Sequence, residues 1–277
     1  MSGIGTSYGA ITVINAMPCG IGATIGTTLM TSAKFAPGGD RKNVIIRNDP
    51  GERTEMAEIC VSEAYSRVGK EEPDGWTLDI SSDIPISRGL KSSSSACNAI
   101  ISAVFNEHGY RTDEVDLVRL GVKCARKAKV TVTGAFDDAC GCFLGGFVIT
   151  DNGKDEIILH RDVEDLDVVI HIPDRKIPKT GLPLAELRAL APEVEKLVEL
   201  SRSDPYAAMT GNGRLISSVS GVDNSIAELA MKNGALGAGM SGSGPAIAIV
   251  LEKGDTENFL NRTGIRNVIK TNTRRAH

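Results

Sequence analysis

The chain has 277 residues, 41% of them hydrophobic and 24% charged, and a net charge of −4. That length holds one large domain or two modest ones with real cores, and the composition excludes disorder. The mild negative charge excludes the electrostatic footprint of a nucleic-acid or anionic-membrane binder.

Aromatic residues make up 4% and glycines number 30, so the core is expected to be Ala, Val, Ile and Leu, with glycines serving backbone geometry. The nearest thing to a basic patch, Lys270 with Arg274-Arg275, reads as a solvated terminus. Cys19, Cys60, Cys97, Cys124, Cys140 and Cys142 contain no C-x-x-C pair, and His108, His160, His171 and His277 fall at no zinc-ligand spacing. Reduced, mostly buried thiols are expected. No run approaches the ~18 apolar residues that span a bilayer, and no basic segment leads an apolar one at the N-terminus. The expectation is a soluble, cytoplasmic protein.

In chain order, residues 10–16 read as a strand, Gly20 to Gly26 as a small-residue segment, and residues 27–35 as a second strand. Pro37-Gly38-Gly39-Asp40 is a turn and Val44–Arg47 a short strand. Thr54 caps a helix that runs to Val68 and stops at Gly69. Trp76–Ser81 alternates as a strand, followed by a loop over 83–91 and the serine run Ser92–Ser95. Cys97, Ile100, Ile101, Val104 and Phe105 form a helix face that Gly109 ends, and a further helix runs from Thr112 or Asp113 to about Lys127. Val130–Thr133 reads as extended chain, Gly134–Asp138 as a loop, and 145–150 as a strand. Asp151-Asn152-Gly153 is a turn, at which residues 1–152 and 153–277 are expected to divide into two domains. Beyond it, Leu166–Ile172 reads as a strand and Pro183–Leu200 as a helix. Asp204–Ser218 is a helix with Asp204 as cap, Pro205 in the first turn and an irregular Gly211-Asn212-Gly213. Asn224–Asn233 is helical, Gly237–Gly244 a glycine loop, Pro245–Leu251 a buried strand, and a short helix and a strand near 266–270 finish the chain. This mixed order points to an α+β fold.

Two familiar patterns fail on context. Gly5-Thr6-Ser7-Tyr8-Gly9 has the spacing of a nucleophile elbow, yet only four residues precede it and a β-branched strand follows. Gly237-Ala238-Gly239-Met240-Ser241-Gly242 has dinucleotide-fingerprint spacing, but a helix precedes it and a strand follows. No Walker A sequence exists either, since Gly69-Lys70 and Gly153-Lys154 continue with acids.

Three segments carry more weight. In Pro85–Ala96, four successive serines open a helix whose free N–H groups and positive dipole end suit phosphate, with Lys91 adding a full charge. An over-capped surface helix is the alternative. Gly237–Pro245 interleaves four glycines with Ser241 and Ser243, a mix that lets backbone curl around an anion, or that merely joins a helix to a strand. Thr133–Cys140 places Asp137 and Asp138 where they would supply a base, a metal ligand or a helix cap.

In this order the three segments resemble those of the GHMP kinases. Gly89-Leu90-Lys91-Ser92-Ser93-Ser94 is similar to their second motif, Gly237–Gly244 to their glycine-rich third, and Asp138, seven residues before Gly145-Gly146, to their catalytic aspartate. The resemblance implies a two-domain α+β fold, with a ribosomal-protein-S5-like first half and a ferredoxin-like second half. Within the family the chain most resembles the archaeal shikimate kinases, in Ser7-Tyr8-Gly9-Ala10, Val13-Ile14-Asn15-Ala16, the lysine of the serine loop, and Val132–Asp138. It implies ATP and Mg²⁺ as cofactors and transfer of phosphate to the 3-hydroxyl of shikimate, on the route to chorismate and aromatic amino acids. Acceptors such as homoserine or a mevalonate-like alcohol, or a binding module without catalysis, are the alternatives.

The same resemblance implies roles for residues. Gly89, Leu90, Ser92, Ser93, Ser94, Ser95, Gly239, Ser241, Gly242 and Ser243 would bind the ATP phosphates, with Ser93 also on Mg²⁺. Asp138 would take the acceptor proton, Lys91 would replace the family's early lysine, and Asp137 and Thr133 would contact the acceptor. Two departures stand out. No cation precedes Lys34, and the helix after the serines has Glu107 as its single acid where the family has a Mg²⁺-binding glutamate. Arg88, Arg126, Lys127 and Arg214 are candidates for an acidic substrate's counter-charge.

Overall fold

The computed structural model of the protein describes residues 2–47, 49–85, 89–131, 134–173 and 183–277. Two long strands, β1 (Gly3–Ile14) and β2 (Ile21–Pro37), pair antiparallel and start the first sheet. β3 (Lys42–Ile46), β4 (Trp76–Ser82), β5 (Phe147–Asp151) and β6 (Glu156–Arg161) complete it in the order β3-β4-β2-β5-β6, with β1 on β2. Four helices belong to this part: α1 (Glu55–Val68), α2 (Ser92–Glu107), α3 (Glu114–Lys127) and α4 (Phe136–Leu144).

The chain then passes to a second, antiparallel sheet of β7 (Asp167–His171), β8 (Gly237–Met240), β9 (Ile247–Leu251) and β10 (Val268–Asn272), ordered β10-β7-β9-β8. Helices α5 (Leu184–Ala189), α6 (Ala191–Ser203), α7 (Pro205–Ser220) and α8 (Ser225–Lys232) lie between β7 and β8, and α9 (Thr256–Thr263) between β9 and β10. Counted within this half, the strand order is 4-1-3-2 with helices in both crossovers, the ferredoxin-like arrangement. One apolar cluster joins the halves: Ile11, Val13 and Ile25 of the first sheet pack with Val168, Ile170 and Val250 of the second and with Met209 of α7. Burying such side chains stabilises by about 1.5–3 kcal/mol each, so the cleft between the sheets is floored by shared core.

The α+β expectation holds, and so do the Gly69 stop and the Asp204 cap. Gly69 adopts φ 75° after α1, and the Asp204 carboxylate accepts from Ala207 N at 2.9 Å. All six cysteines are free thiols, five of them buried. No helix among the described residues is long and apolar enough to cross a membrane.

Other expectations are corrected by packing. Residues 21–26 of the small-residue segment are the first part of β2, and glycine stands at 22 because α4 lies directly on that strand; a Cβ there would meet Asp137 Oδ2 at 2.3 Å. β1 begins at Gly3, seven residues before the expected strand, and its buried Ser7 donates to Cys142 O at 3.2 Å. Of the expected loop over 134–138, residues 136–138 are instead the start of α4, while Val130 and Thr131 form no strand and Val132 and Thr133 lie outside the described residues. The turn at 151–153 joins β5 to β6, a strand the sequence reading missed, and the chain leaves the first sheet only over residues 162–166. Pro192 splits the expected 183–200 helix: lacking an N–H, it sits in the first turn of α6 instead of continuing α5. Half of the glycine loop is strand β8, and Thr54 donates to the Glu58 carboxylate at 2.9 Å rather than capping α1.

Arg274 is no solvated tail residue. Its guanidinium stacks 4.2 Å from the Tyr8 ring centre and donates to Phe143 O at 2.7 Å and Cys142 O at 3.3 Å. It thereby satisfies carbonyls at the C-terminal end of α4, where a cation also suits the helix dipole.

β1 lies so close to α2 that a Cβ on Gly5 would stand 2.2 Å from Ala99 O and 2.4 Å from Ala103 N. Gly5→Ala must therefore push strand and helix apart, at a cost of about 1–3 kcal/mol. Thermal unfolding should show a midpoint several degrees below wild type, and an unchanged midpoint would contradict this packing.

Candidate active site

The three sequence segments converge on one open cleft of about 940 Å³, bulk-facing space included. α2 and α4 both start there, and each start is preceded by a non-glycine residue in the left-handed region, Lys91 at φ 67° and Ala135 at φ 54°. That conformation costs roughly 1–2 kcal/mol per residue, and such strain concentrates at functional sites. At Lys91 it marks the turn from which the ammonium reaches Asp138 in the first turn of α4.

Lys91 Nζ lies 2.6 Å from Asp138 Oδ1 and donates to Thr12 Oγ1 at 2.8 Å. The lysine side chain is 4% exposed and that of Asp138 21%, so the ammonium is withdrawn while the carboxylate stays open to the cleft. Burial opposes the lysine charge, but Asp138 and Asp137 outweigh it and hold the Lys91 pKa above the ordinary lysine value. Burial also dominates at Asp137; with repulsion from Asp138 it lifts that carboxyl to about 7, against the attraction of Lys91 and a hydrogen bond from Asn152.

Asn152 holds Asp137 from the β5–β6 turn. Its Nδ2 donates to Asp137 Oδ1 at 2.7 Å, and its Oδ1 accepts from Asp137 N at 3.0 Å and from the Thr150 hydroxyl at 2.8 Å. Asp137 and Asp138 both sit in the first turn of α4, where the dipole favours negative charge. On the opposite wall, Ser92, Ser93 and Ser94 line the cleft in the first turn of α2, whose N–H groups lack helical partners. An anion fits there.

The second sheet contributes Gly242 and Ser243. Gly242 N donates to Thr12 Oγ1 at 2.8 Å, and Gly242 O accepts from Asn15 Nδ2 at 2.8 Å. Asn15 N in turn donates to Asn212 Oδ1 at 3.1 Å, which gives the irregular 211–213 segment of α7 a buried anchoring role.

Of the proposed phosphate ligands, Gly89, Ser92, Ser93, Ser94, Gly242 and Ser243 line the cleft. Four do not face it. Leu90 is core, Ser95 is fully buried one step along α2, and Gly239 lies inside β8 against α7, where a Cβ would meet Met209 O at 2.7 Å. Ser241 is buried as a strut, donating to Gly89 O at 3.0 Å and accepting from Thr12 N at 3.3 Å. Thr133 and Arg88 lie outside the described residues.

The other charge candidates point elsewhere. Arg126 pairs with Asp155, Lys127 with Glu63 and Arg214 with Glu228. Glu107, at the far end of α2, stands about 20 Å from Ser93 at ~1.5 Å per residue. Among the described residues, Lys91 is the one cation on the cleft wall. Thr12, Asn15 and Asn152 escaped the sequence reading; the signal for Thr12 was a polar residue inside the apolar run Ile11-Thr12-Val13-Ile14.

The raised pKa of Asp137 has a stability consequence. A folded-state value of about 7 exceeds the unfolded carboxyl value of ~4, so its contribution is full below pH 4 and is lost as pH rises through 7. Unfolding free energy measured from pH 4 to 8 should fall less steeply in Asp137→Asn than in wild type. Equal slopes would contradict a buried, protonatable Asp137.

Residues 56–146 match the GHMP kinases N terminal domain family, and residues 214–264 match the GHMP kinases C terminal family. The shikimate kinase of Pyrococcus abyssi is 34% identical over 257 residues, 91% of this chain and 93% of that one. That of Methanothrix thermoacetophila is 38% identical over 253 residues, 91% of this chain and 86% of its own. In fold, the mevalonate kinase of Methanococcus jannaschii superposes with a TM-score of 0.81 over 99% of this chain and 98% of its own, at 16% identity. The homoserine kinase of Cytophaga hutchinsonii gives 0.75 over 99% and 96%, also at 16% identity. With this fold, this cleft and these relatives, the chain belongs to the GHMP kinase family and is a small-molecule kinase.

Proposed function

We propose that the protein transfers the γ-phosphoryl group of ATP to the 3-hydroxyl of shikimate, giving shikimate 3-phosphate and ADP. The observation that carries the chemistry is the pairing of buried Lys91 with Asp138, which faces the cleft beside the helix N-terminus at Ser92–Ser94. The acceptor rests on the relatives named shikimate kinase, which match the chain over nine-tenths of its length.

Phosphoryl transfer asks for alignment and for neutralisation of charge on the moving group. The N–H groups and hydroxyls at Ser92, Ser93 and Ser94, with the Gly242 turn, would hold the phosphates. Asp138, open to the cleft, would orient the acceptor hydroxyl. As the acceptor oxygen bonds to the γ-phosphorus, the bond to the bridging oxygen breaks, ADP leaves with that electron pair, and the hydroxyl proton passes to Asp138. Lys91 would hold the Asp138 carboxylate in place and set a positive charge beside the moving group. Asp137, locked by Asn152, would contact the acceptor, a role that the family resemblance also gives Thr133, outside the described residues.

No group of three or more His, Cys, Asp or Glu side chains among the described residues holds a metal by itself. Mg²⁺ is bound in kinases by one or two carboxylates plus phosphate and water, and Ser93, Asp137 and Asp138 offer such hard oxygen ligands on this cleft. When bound, the ion would neutralise charge on the β- and γ-phosphates.

ADP release with ATP, Mg²⁺ and shikimate, homoserine or mevalonate tests the reading directly. Turnover with shikimate alone is expected; turnover only with another acceptor would keep the family and overturn the substrate. Asp138→Asn should lower kcat by about 100- to 10,000-fold with ATP binding retained, and a loss below about threefold would remove Asp138 from the role. Lys91→Met should weaken nucleotide binding and turnover together, whereas unchanged kinetics would contradict its place beside the phosphates.

A further inference from the structure

Thr12 joins the serine segment to the glycine segment, and Lys91 links it in turn to Asp138. It sits in β1 where the pairing with β2 shifts register between Thr12 and Ile14, the kind of irregularity that re-aims a side chain beside a site. Its backbone N donates to Ser241 Oγ, while its hydroxyl oxygen accepts from Lys91 Nζ and from Gly242 N, both at 2.8 Å.

A threonine hydroxyl has two acceptor lone pairs and one proton. An ammonium and a backbone amide have no lone pair to offer, so both must be donors here, and both acceptor positions of Oγ1 are filled. The hydroxyl proton is left for a third direction, and among the described residues no acceptor is bonded to it. Thr12 lines the cleft between Lys91 and Gly242, so a phosphoryl oxygen held there is the acceptor that completes it. Two cationic or amide donors on Oγ1 also polarise the O–H and strengthen it as a donor.

We propose that Thr12 is a catalytic residue whose hydroxyl donates to an oxygen of the phosphoryl group in transfer, a third fixed donor beside Lys91 and the first turn of α2. This rests on the kinase reading of the cleft and is independent of which alcohol accepts the phosphate. The geometry favours the transition state over the ground state, because charge on the equatorial oxygens is met by a donor that needs no reorientation.

The test measures dissociation constants for ADP alone and for ADP with aluminium fluoride and Mg²⁺, a mimic of the phosphoryl group in flight, in wild type, Thr12→Val and Thr12→Ser. Wild type should bind the fluoride complex more tightly than ADP. Thr12→Val should lose about tenfold to a hundredfold of that extra affinity with ADP binding unchanged, and Thr12→Ser should keep it. The loss should persist in the Lys91→Met background, since it belongs to a direct contact. Thr12→Cys, a weaker donor, should give an intermediate loss and covers the case in which Thr12→Val does not fold. Equal losses for ADP and its fluoride complex, no extra affinity in wild type, or disappearance of the effect in Lys91→Met would each overturn the proposal. Failure of shikimate in the ADP-release assay would overturn the substrate and leave this result standing.

Discussion

An ammonium taken out of water must meet an anion or give up its proton, and in this chain Lys91 meets Asp138 at 2.6 Å. Much of the local architecture follows from that requirement. Lys91 ends the loop before α2 and Asp138 lies in the first turn of α4, so the two helix starts must face each other across a few ångströms. Each start is entered through a left-handed residue that no glycine relieves. The cost of that backbone is tolerated because the helix ends, the ion pair and the Thr12 hydroxyl define one another.

Packing explains how so strained a constellation stays in place. α4 rests on the small residues of β2, with Asp137 against Gly22, while Arg274 satisfies its last carbonyls from the chain's other end. Asn152 fixes the first turn of α4 from a hairpin of the same sheet. The second half of the protein enters through Gly242 and Ser241, which bond to Thr12, and the shared apolar cluster keeps those contacts in register. Neither sheet by itself presents the complete cleft.

The elements with strong local signals were legible in the sequence. Asp204-Pro205 marked the start of α7, and Gly69 and Gly234 marked ends of helices through positive-φ backbone that only local chemistry requires. The serine run, Lys91 and Asp138 stood out because their order along the chain resembles the motifs of the GHMP kinases; their chemistry alone left helix capping open. Features set by long-range contact were not legible. Glycines at 22 and 239 looked like loop material, yet they permit a helix to lie on a strand. β6 carries Ile158 on its exposed face between Glu156 and His160, which blurs the apolar–polar alternation of a strand. Arg274 looked solvated because nothing nearby in sequence discloses Tyr8 or the end of α4. Thr12 was hidden by its strand, and only the fold brings it to Lys91 and Gly242, residues 79 and 230 positions away.

Transfer of phosphate to the 3-hydroxyl of shikimate, in the cleft that Lys91 and Asp138 line together, is the proposed chemistry. Phosphorus and proton NMR of the products formed from ATP, Mg²⁺ and shikimate tests it most directly. A new phosphomonoester signal coupled to the proton on C3 of shikimate, formed in step with ADP, is the expected result. ATP consumed to inorganic phosphate with shikimate left unmodified, or phosphate coupled to a different ring position, would contradict it.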